Sequence, residues 1–299
     1  MNDDLLRTSL LDLLHTLGET ARDVLLGGGY GLYLKQLHLA DAGQRTLVPT
    51  DLWPAPRATQ DLDLMLSAEL VADARLMGAV RAAFDRLGYI VVKGSEYLQF
   101  VRTISATQIV KIDLLTAQLD VLQNTPAIRA NSRRARPSAE QHPRLHAHPT
   151  DGALALTETP VVIEIAGKLS NGTAFTAHIK IPHPFSYLLM KLTAYRDRRN
   201  DADKGLGRHH ALDVFRIVAM MTEEESDQVG QYVRRFADNP QVRSCIDLVR
   251  SDFAHATAAG LLAMREHPLW QNDPQLDVFI ETINELLCQG KYVTKRRHL

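Results

Sequence analysis

Two acids set two residues apart carry the first hint of chemistry in this chain. In Arg57-Ala58-Thr59-Gln60-Asp61-Leu62-Asp63-Leu64-Met65-Leu66 the carboxylates alternate with apolar residues. On a strand, alternate side chains share a face, so Asp61 and Asp63 point one way while Leu62 and Leu64 point into a core. Two like charges held that close repel unless a cation sits between them. Hard oxygen ligands of this kind suit Mg²⁺, which completes its shell with water and substrate phosphates. A third acid stands in a similar setting, in Lys111-Ile112-Asp113-Leu114-Leu115. An acid inside an apolar strand is costly to bury without a partner. If this strand lies beside the first, Asp113 joins Asp61 and Asp63 in one cluster. An edge-strand Asp facing water is the plainer alternative.

Phosphate-binding features lie on both sides of these acids. Val24-Leu25-Leu26 reads as a short buried strand running into Gly27-Gly28-Gly29-Tyr30-Gly31, with a helix expected after it. Strand, glycine turn and helix together aim backbone N–H groups and a positive helix end at an anion. It is not a Walker A loop, because no Gly-Lys-Ser/Thr follows, and Leu32 stands where a dinucleotide fingerprint needs its third glycine. Far downstream, Lys191, Ala194 and Arg198 fall at i, i+3 and i+7, along one face of a helix expected over residues 185–199. Asp213 sits amid Leu212, Val214, Phe215, Ile217 and Val218, an apolar stripe in which an acid needs a reason, a buried structural Asp–Arg pair being the plainer alternative.

The elements that must position these residues read as follows. Leucines at helical spacing give a first helix over about residues 5–17. Residues 40–56 hold Gly43, Pro49, Pro54 and Pro56 and read as a loop or insertion. One long amphipathic helix is expected from Glu69 to Leu87, then strands over 89–92, 97–103 and 108–115. Residues 123–151, rich in Pro, Arg, Ser and His, read as a mobile loop. His142, His146 and His148 lie there without the further ligands on a rigid scaffold that a zinc site needs. A hairpin is expected around Asn171-Gly172, and from Pro184 on the chain reads as helical, with three helices between Glu223 and Cys288.

Composition fits an ordinary water-soluble protein, with 45% hydrophobic and 23% charged residues. No apolar run approaches the ~20 residues that cross a bilayer. The acidic start Met1-Asn2-Asp3-Asp4 suits neither a secretory nor a transit segment, so a cytoplasmic location and no membrane partner are expected. Cys245 and Cys288 are too few for a disulfide framework. The net charge of −1 says little, but basic residues gather in three places. These are 129–136 (Arg129, Arg133, Arg134, Arg136), 196–210, and Lys295-Arg296-Arg297-His298, and such patches can hold phosphate backbones.

Taken in order, Gly28-Gly29-Tyr30-Gly31-Leu32, Arg57-x-Thr59-x-Asp61-Leu62-Asp63, Lys111-Ile112-Asp113, Lys191-x-x-Ala194-x-x-x-Arg198 and Asp213 resemble the AbiE-type (AbiEii/MenT-like) nucleotidyltransferase toxins of bacterial type IV toxin–antitoxin systems. The resemblance runs from about Val24 to Val218. It implies an α+β protein with a nucleotidyltransferase fold of the DNA polymerase β type, a small mixed sheet with helices over 1–182. A helical C-terminal domain over 183–299 would follow, with the site in the cleft between them. It further implies that Gly28 and Gly29 cradle the NTP triphosphate and that Arg57, Lys191 and Arg198 contact the nucleotide. Asp61, Asp63 and Asp113 would bind Mg²⁺ (or Mn²⁺), and Asp213 would orient Lys191 or assist proton removal. The chain departs from the pattern at Tyr30, where Ser or Thr is usual, at the long 40–56 span, and at His209-His210, where Lys-Asp is usual.

The function implied is a pyrophosphate-releasing transfer of NMP from an NTP to an acceptor, by resemblance the 3′ end of tRNA, which would stop translation and growth. A cognate antitoxin is implied as partner. In some relatives it is a kinase modifying the hydroxyl two residues before the first metal-binding Asp, which is Thr59 here. Two rivals stand beside this reading: a small-molecule (aminoglycoside-type) or protein nucleotidyltransferase of the same fold, and a non-catalytic module that binds RNA or a partner.

Overall fold

The computed structural model describes residues 3–56, 59, 61–271 and 276–289. The chain packs as two units, Met1–His38 with Arg57–Pro182, and Leu39–Pro56 with His183–Leu299. The second unit thus includes the 39–56 segment, which the boundary read from sequence leaves with the sheet. No described helix is long and apolar enough to cross a membrane.

The first unit is mixed α+β. Helix α1 (Asp3–Leu17) buries Leu6, Leu10, Leu13, Leu14 and Leu17, and is followed by β1 (Val24–Leu26) and α2 (Gly28–Asp41). Strand β2 (Asp61–Leu66) leads to α3 (Ala68–Ala72) and α4 (Ala74–Arg86). The single helix expected over 69–87 is therefore two. Asp73 leaves helical geometry and caps α4, its Oδ1 accepting from the N–H groups of Arg75 (2.7 Å) and Leu76 (3.1 Å). A cap residue is extended, so it ends one helix as it begins the next. Strands β3 (Ile90–Val91), β4 (Gln99–Thr103) and β5 (Ile109–Thr116) follow, close to expectation.

The segment read as a mobile loop is ordered, which corrects that reading. It follows α5 (Leu119–Gln123) and contains a two-stranded ribbon of β6 (Ile128–Ala130) and β7 (Ala135–Pro137), and β8 (His148–Pro149), which joins the main sheet. Strands of two or three residues are too short to show an alternating pattern, so the sequence hides them. The hairpin β9 (Val161–Lys168) and β10 (Ala174–Ile181) turns at Gly172, whose φ is +85°. Among the described residues the sheet runs β3-β4-β5-β2-β1-β10-β9, with β8 beside the end of β5. Asp12 of α1 ties down the hairpin turn, accepting from the N–H (2.9 Å) and Oγ–H (2.7 Å) of Ser170.

The second unit is helical: α6 (Pro184–Arg198), α7 (Arg208–Ala219), α8 (Glu223–Arg235), α9 (Pro240–Asp252), α10 (Ala259–Arg265) and α11 (Leu276–Asn284). Among the described residues the span from Glu223 onward holds four α-helices rather than three, because residues 253–258 interrupt the pattern between α9 and α10. Phe185 of α6 stacks on Tyr232 (5.1 Å) and Phe236 (5.8 Å) of the α8 region, and Phe215 of α7 meets Trp270 and Phe279. The segment 39–56 joins these helices through the N–H groups of Leu47 and Val48, which donate to the carbonyls of Met221 (2.9 Å) and Ala219 (3.2 Å).

Candidate active site

The acids of the first unit are brought together by strand register. Strands β2 and β5 pair in parallel, with Asp61 opposite Lys111 and Asp63 opposite Asp113. Directly opposed residues of adjacent strands project to the same face, so all three carboxylates share one side of the sheet. The alternate residues Leu62, Leu64, Val110, Ile112 and Leu114 are buried on the other side, and this burial fixes the register.

The glycine turn lies close against this face. Gly27 N–H donates to the main-chain carbonyl of Asp63 (2.8 Å), and α2 begins at Gly28. Gly28 has φ +64°, and a Cβ there would lie 1.6 Å from Asp63 Oδ2. The Asp63 carboxylate thus occupies the space that any other residue's side chain would need. The start of α2 is therefore matched to an acid, and its positive end favours that charge.

Lys111 is the residue that sequence reasoning left without a role. Its Nζ donates to Asp113 Oδ2 at 3.0 Å, both side chains being partly exposed. Asp113 Oδ1 is buried and has no hydrogen-bond partner among the described residues. An orphaned buried carboxylate oxygen is costly and calls for a donor or a cation. The i, i+2 spacing of Lys111 and Asp113 was the signal available for their sharing a face. Among the described residues no three His, Cys, Asp or Glu side chains form a ready-made metal cage. In the arrangement present, the ammonium balances part of the charge that a divalent ion would. The donor set still fits a hard cation, with three carboxylates on one face and one acceptor oxygen unfilled.

Thr59 lies just ahead of β2, and the Asp61 N–H donates to its Oγ1 at 3.4 Å. Arg57 and the basic run Lys295-Arg296-Arg297-His298 fall outside the described residues. Gly29 lies in the first turn of α2.

In the second unit, α6 and α7 bring Lys191 against Asp213. The Lys191 Nζ donates to Asp213 Oδ2 at 2.7 Å, and the Asp213 side chain is fully buried. On the far side Arg216, also buried, places Nη1 3.4 Å from Asp213 Oδ1. Two cations on one buried carboxylate hold it in one orientation and exclude a solvated alternative. Sequence spacing pointed to Lys191 and Asp213 and left open a buried Asp–Arg pair without naming its arginine; Arg216, one turn on from Asp213, is that residue. Arg198, by contrast, is exposed and its Nη1 meets His210 Nε2. His209, the other residue at the departure from the family pattern, pairs with His267 (2.7 Å between ring nitrogens).

The chain matches no family model, no curated protein and no solved structure.

Proposed function

We propose that this protein is a metal-dependent nucleotidyltransferase that moves NMP from an NTP to an acceptor hydroxyl and releases pyrophosphate. The observation that carries the reading is the parallel register setting Asp63 beside Asp113, with Asp61 on the same face and Gly28 pressed against Asp63. Three carboxylates on one rigid sheet are what nucleotidyl transfer needs, because its barrier falls mainly through positioning and charge neutralisation. Asp61, Asp63 and Asp113 would hold Mg²⁺, which when bound neutralises charge on the phosphates. The acceptor oxygen forms a bond to the α-phosphorus and the bond to the β-phosphate oxygen breaks, so that pyrophosphate leaves. The proton of the acceptor hydroxyl passes to a carboxylate, for which the unpartnered Asp113 Oδ1 is the candidate. Lys191, held by Asp213, is the ammonium proposed to contact the NTP phosphates.

The acceptor proposed is the 3′ end of tRNA, the outcome a block of translation and growth, and the partner an antitoxin. A phosphate on Thr59 would put about two negative charges next to the acids and repel both metal and nucleotide. One observation favours a second reading. The Lys111–Asp113 ion pair is the kind of compensation expected in a non-catalytic RNA-binding or partner-binding member.

Purified protein incubated with each labelled NTP, Mg²⁺ and either total tRNA or an aminoglycoside decides among these. Label in the tRNA band, lost in Asp61→Ala while the fold persists, is the expected result. Label on the aminoglycoside instead points to the same-fold rival. Absence of Mg²⁺-dependent pyrophosphate release with every acceptor overturns the proposal.

A further inference from the structure

The β6–β7 ribbon carries a concentration of positive charge that the transferase chemistry does not use. Its register sets Arg129 directly opposite Arg136. Like charges facing one another across a strand pair destabilise it unless an anion intervenes. At the turn, Asn131 Oδ1 accepts from the main-chain N–H groups of Arg133 and Arg134 (2.9 Å each), fixing the backbone that carries two further arginines at the tip. Arg144 is exposed nearby in the chain. None of these arginines has a carboxylate within 4.0 Å among the described residues. Arg134 acts electrostatically on Glu96, which is exposed and held first by backbone N–H groups.

Beside the ribbon lies a row of rings. His146 packs edge-on against Tyr97 (5.3 Å between centroids) and tilted against His142 (5.9 Å). It is 8% exposed, and its Nδ1 is buried without a hydrogen-bond partner among the described residues. Burial first, then Arg134, His142 and Arg136, push its pKa down to about 4, so the ring is neutral near pH 7. Tyr97 holds φ +71°, a conformation that costs a non-glycine residue about 1–2 kcal/mol.

The placement of this row ties it to the acids. His146 N–H donates to the Tyr97 carbonyl (2.9 Å), and Leu114 N–H donates to the Leu98 carbonyl (3.0 Å). One residue on, Gln99 pairs with Asp113. Strand β8, which follows His146, occupies the edge of β5 beyond β4, opposite Leu115 and Thr116. The rings therefore begin two residues from the strand pair that carries Asp113.

We infer that the β6–β7 arginines, with the half-buried rings of Tyr97 and His142 that pack on His146, form the surface that receives the single-stranded end of an RNA acceptor. Arginines would hold its phosphates, and its last bases would stack on Tyr97 and His142. Guanidinium groups beside flat rings suit a single strand, since every base has a face to stack and every step a phosphate. The inference rests on the transferase reading for the purpose of the strand, but not for its binding.

The test is fluorescence anisotropy of the full chain in EDTA without NTP. The two probes are a stem-loop RNA with a four-nucleotide 3′ overhang and its blunt counterpart. The overhang RNA should bind more tightly, and Tyr97→Leu should erase the preference. Arg129→Ala/Arg136→Ala should weaken binding about tenfold and lower the salt slope by about 1.4, two contacts at ~0.7 each on a single strand. Between 50 and 200 mM salt, wild type should then lose about sevenfold more affinity than the variant. Arg133→Glu, at the exposed turn, repeats the test without touching the strand pairing, and circular dichroism checks that each variant folds. An unchanged slope in both arginine variants, or equal affinity for the two RNAs, overturns the inference. If RNA binding depends on the ribbon while no acceptor is ever labelled, the surface stands and the transferase reading falls.

Discussion

Gly28→Ala probes the site through its geometry. The substitution carries two separable costs. The first is the left-handed backbone (φ +64°), about 1 kcal/mol for a residue with a Cβ. The second is the clash with Asp63, whose Oδ2 would lie 1.6 Å from the new atom and must retreat about 1.4 Å to reach even 3.0 Å. A shift of that size takes the carboxylate out of its rotamer, adding about 0.5–1.5 kcal/mol. The total is about 1.5–2.5 kcal/mol, together with loss of transfer activity because Asp63 no longer faces Asp113. Two neighbours supply the controls. Gly18 has φ +55° with nothing within 4 Å of its Cβ position, so Gly18→Ala reports the backbone cost alone. At Gly27 the Cβ would meet the Met65 Sδ at 3.0 Å, a flexible thioether that can move aside, so Gly27→Ala should cost about 1 kcal/mol or less. Urea denaturation of the three variants, with pyrophosphate release measured alongside, separates these terms. If Gly28→Ala is no less stable than Gly18→Ala and stays active, Asp63 is not seated over Gly28, and the reasoning about the acid row fails.

Four further outcomes are expected. Asp213→Ala takes from buried Lys191 and Arg216 the carboxylate they share and should cost about 3–5 kcal/mol in urea denaturation; a loss below 1 kcal/mol would mean the cluster is solvated. Lys111→Gln removes the ammonium that competes for Asp113 Oδ2, so the Mg²⁺ needed for half-maximal activity should fall about two- to fivefold, as a metal titration would show. His146 has a folded pKa of about 4 against an unfolded 6.5, so the unfolded chain binds the extra proton between those values. Stability should therefore be full above pH 6.5 and decline by about 1–3 kcal/mol as pH falls towards 4. His146→Phe should flatten that part of the profile. Finally, burial pushes the Cys245 thiol up to about 11, so alkylation at pH 8 should label it only after unfolding.

Much of the site was legible along the chain because its parts are periodic. Asp61 and Asp63 at i, i+2 declare a shared strand face, and Lys191 is paired with Asp213 because an acid inside the stripe of α7 needs a cation. The strand, glycine and helix of 24–41 were also readable, since Val24–Leu26 is apolar throughout and the glycines punctuate it. What one dimension does not contain is which strand lies beside which. That Asp113 stands opposite Asp63 rather than at a wet edge follows from the β2–β5 pairing, chosen by burying Leu62, Leu64, Ile112 and Leu114 together. The pressing of Gly28 against Asp63 and the capture of Asp113 by Lys111 are likewise products of packing. So is the ordering of 123–151, whose short strands gain stability from partners far along the chain and not from their own composition. Local propensity names the residues able to do chemistry; burial of their apolar neighbours decides which of them meet.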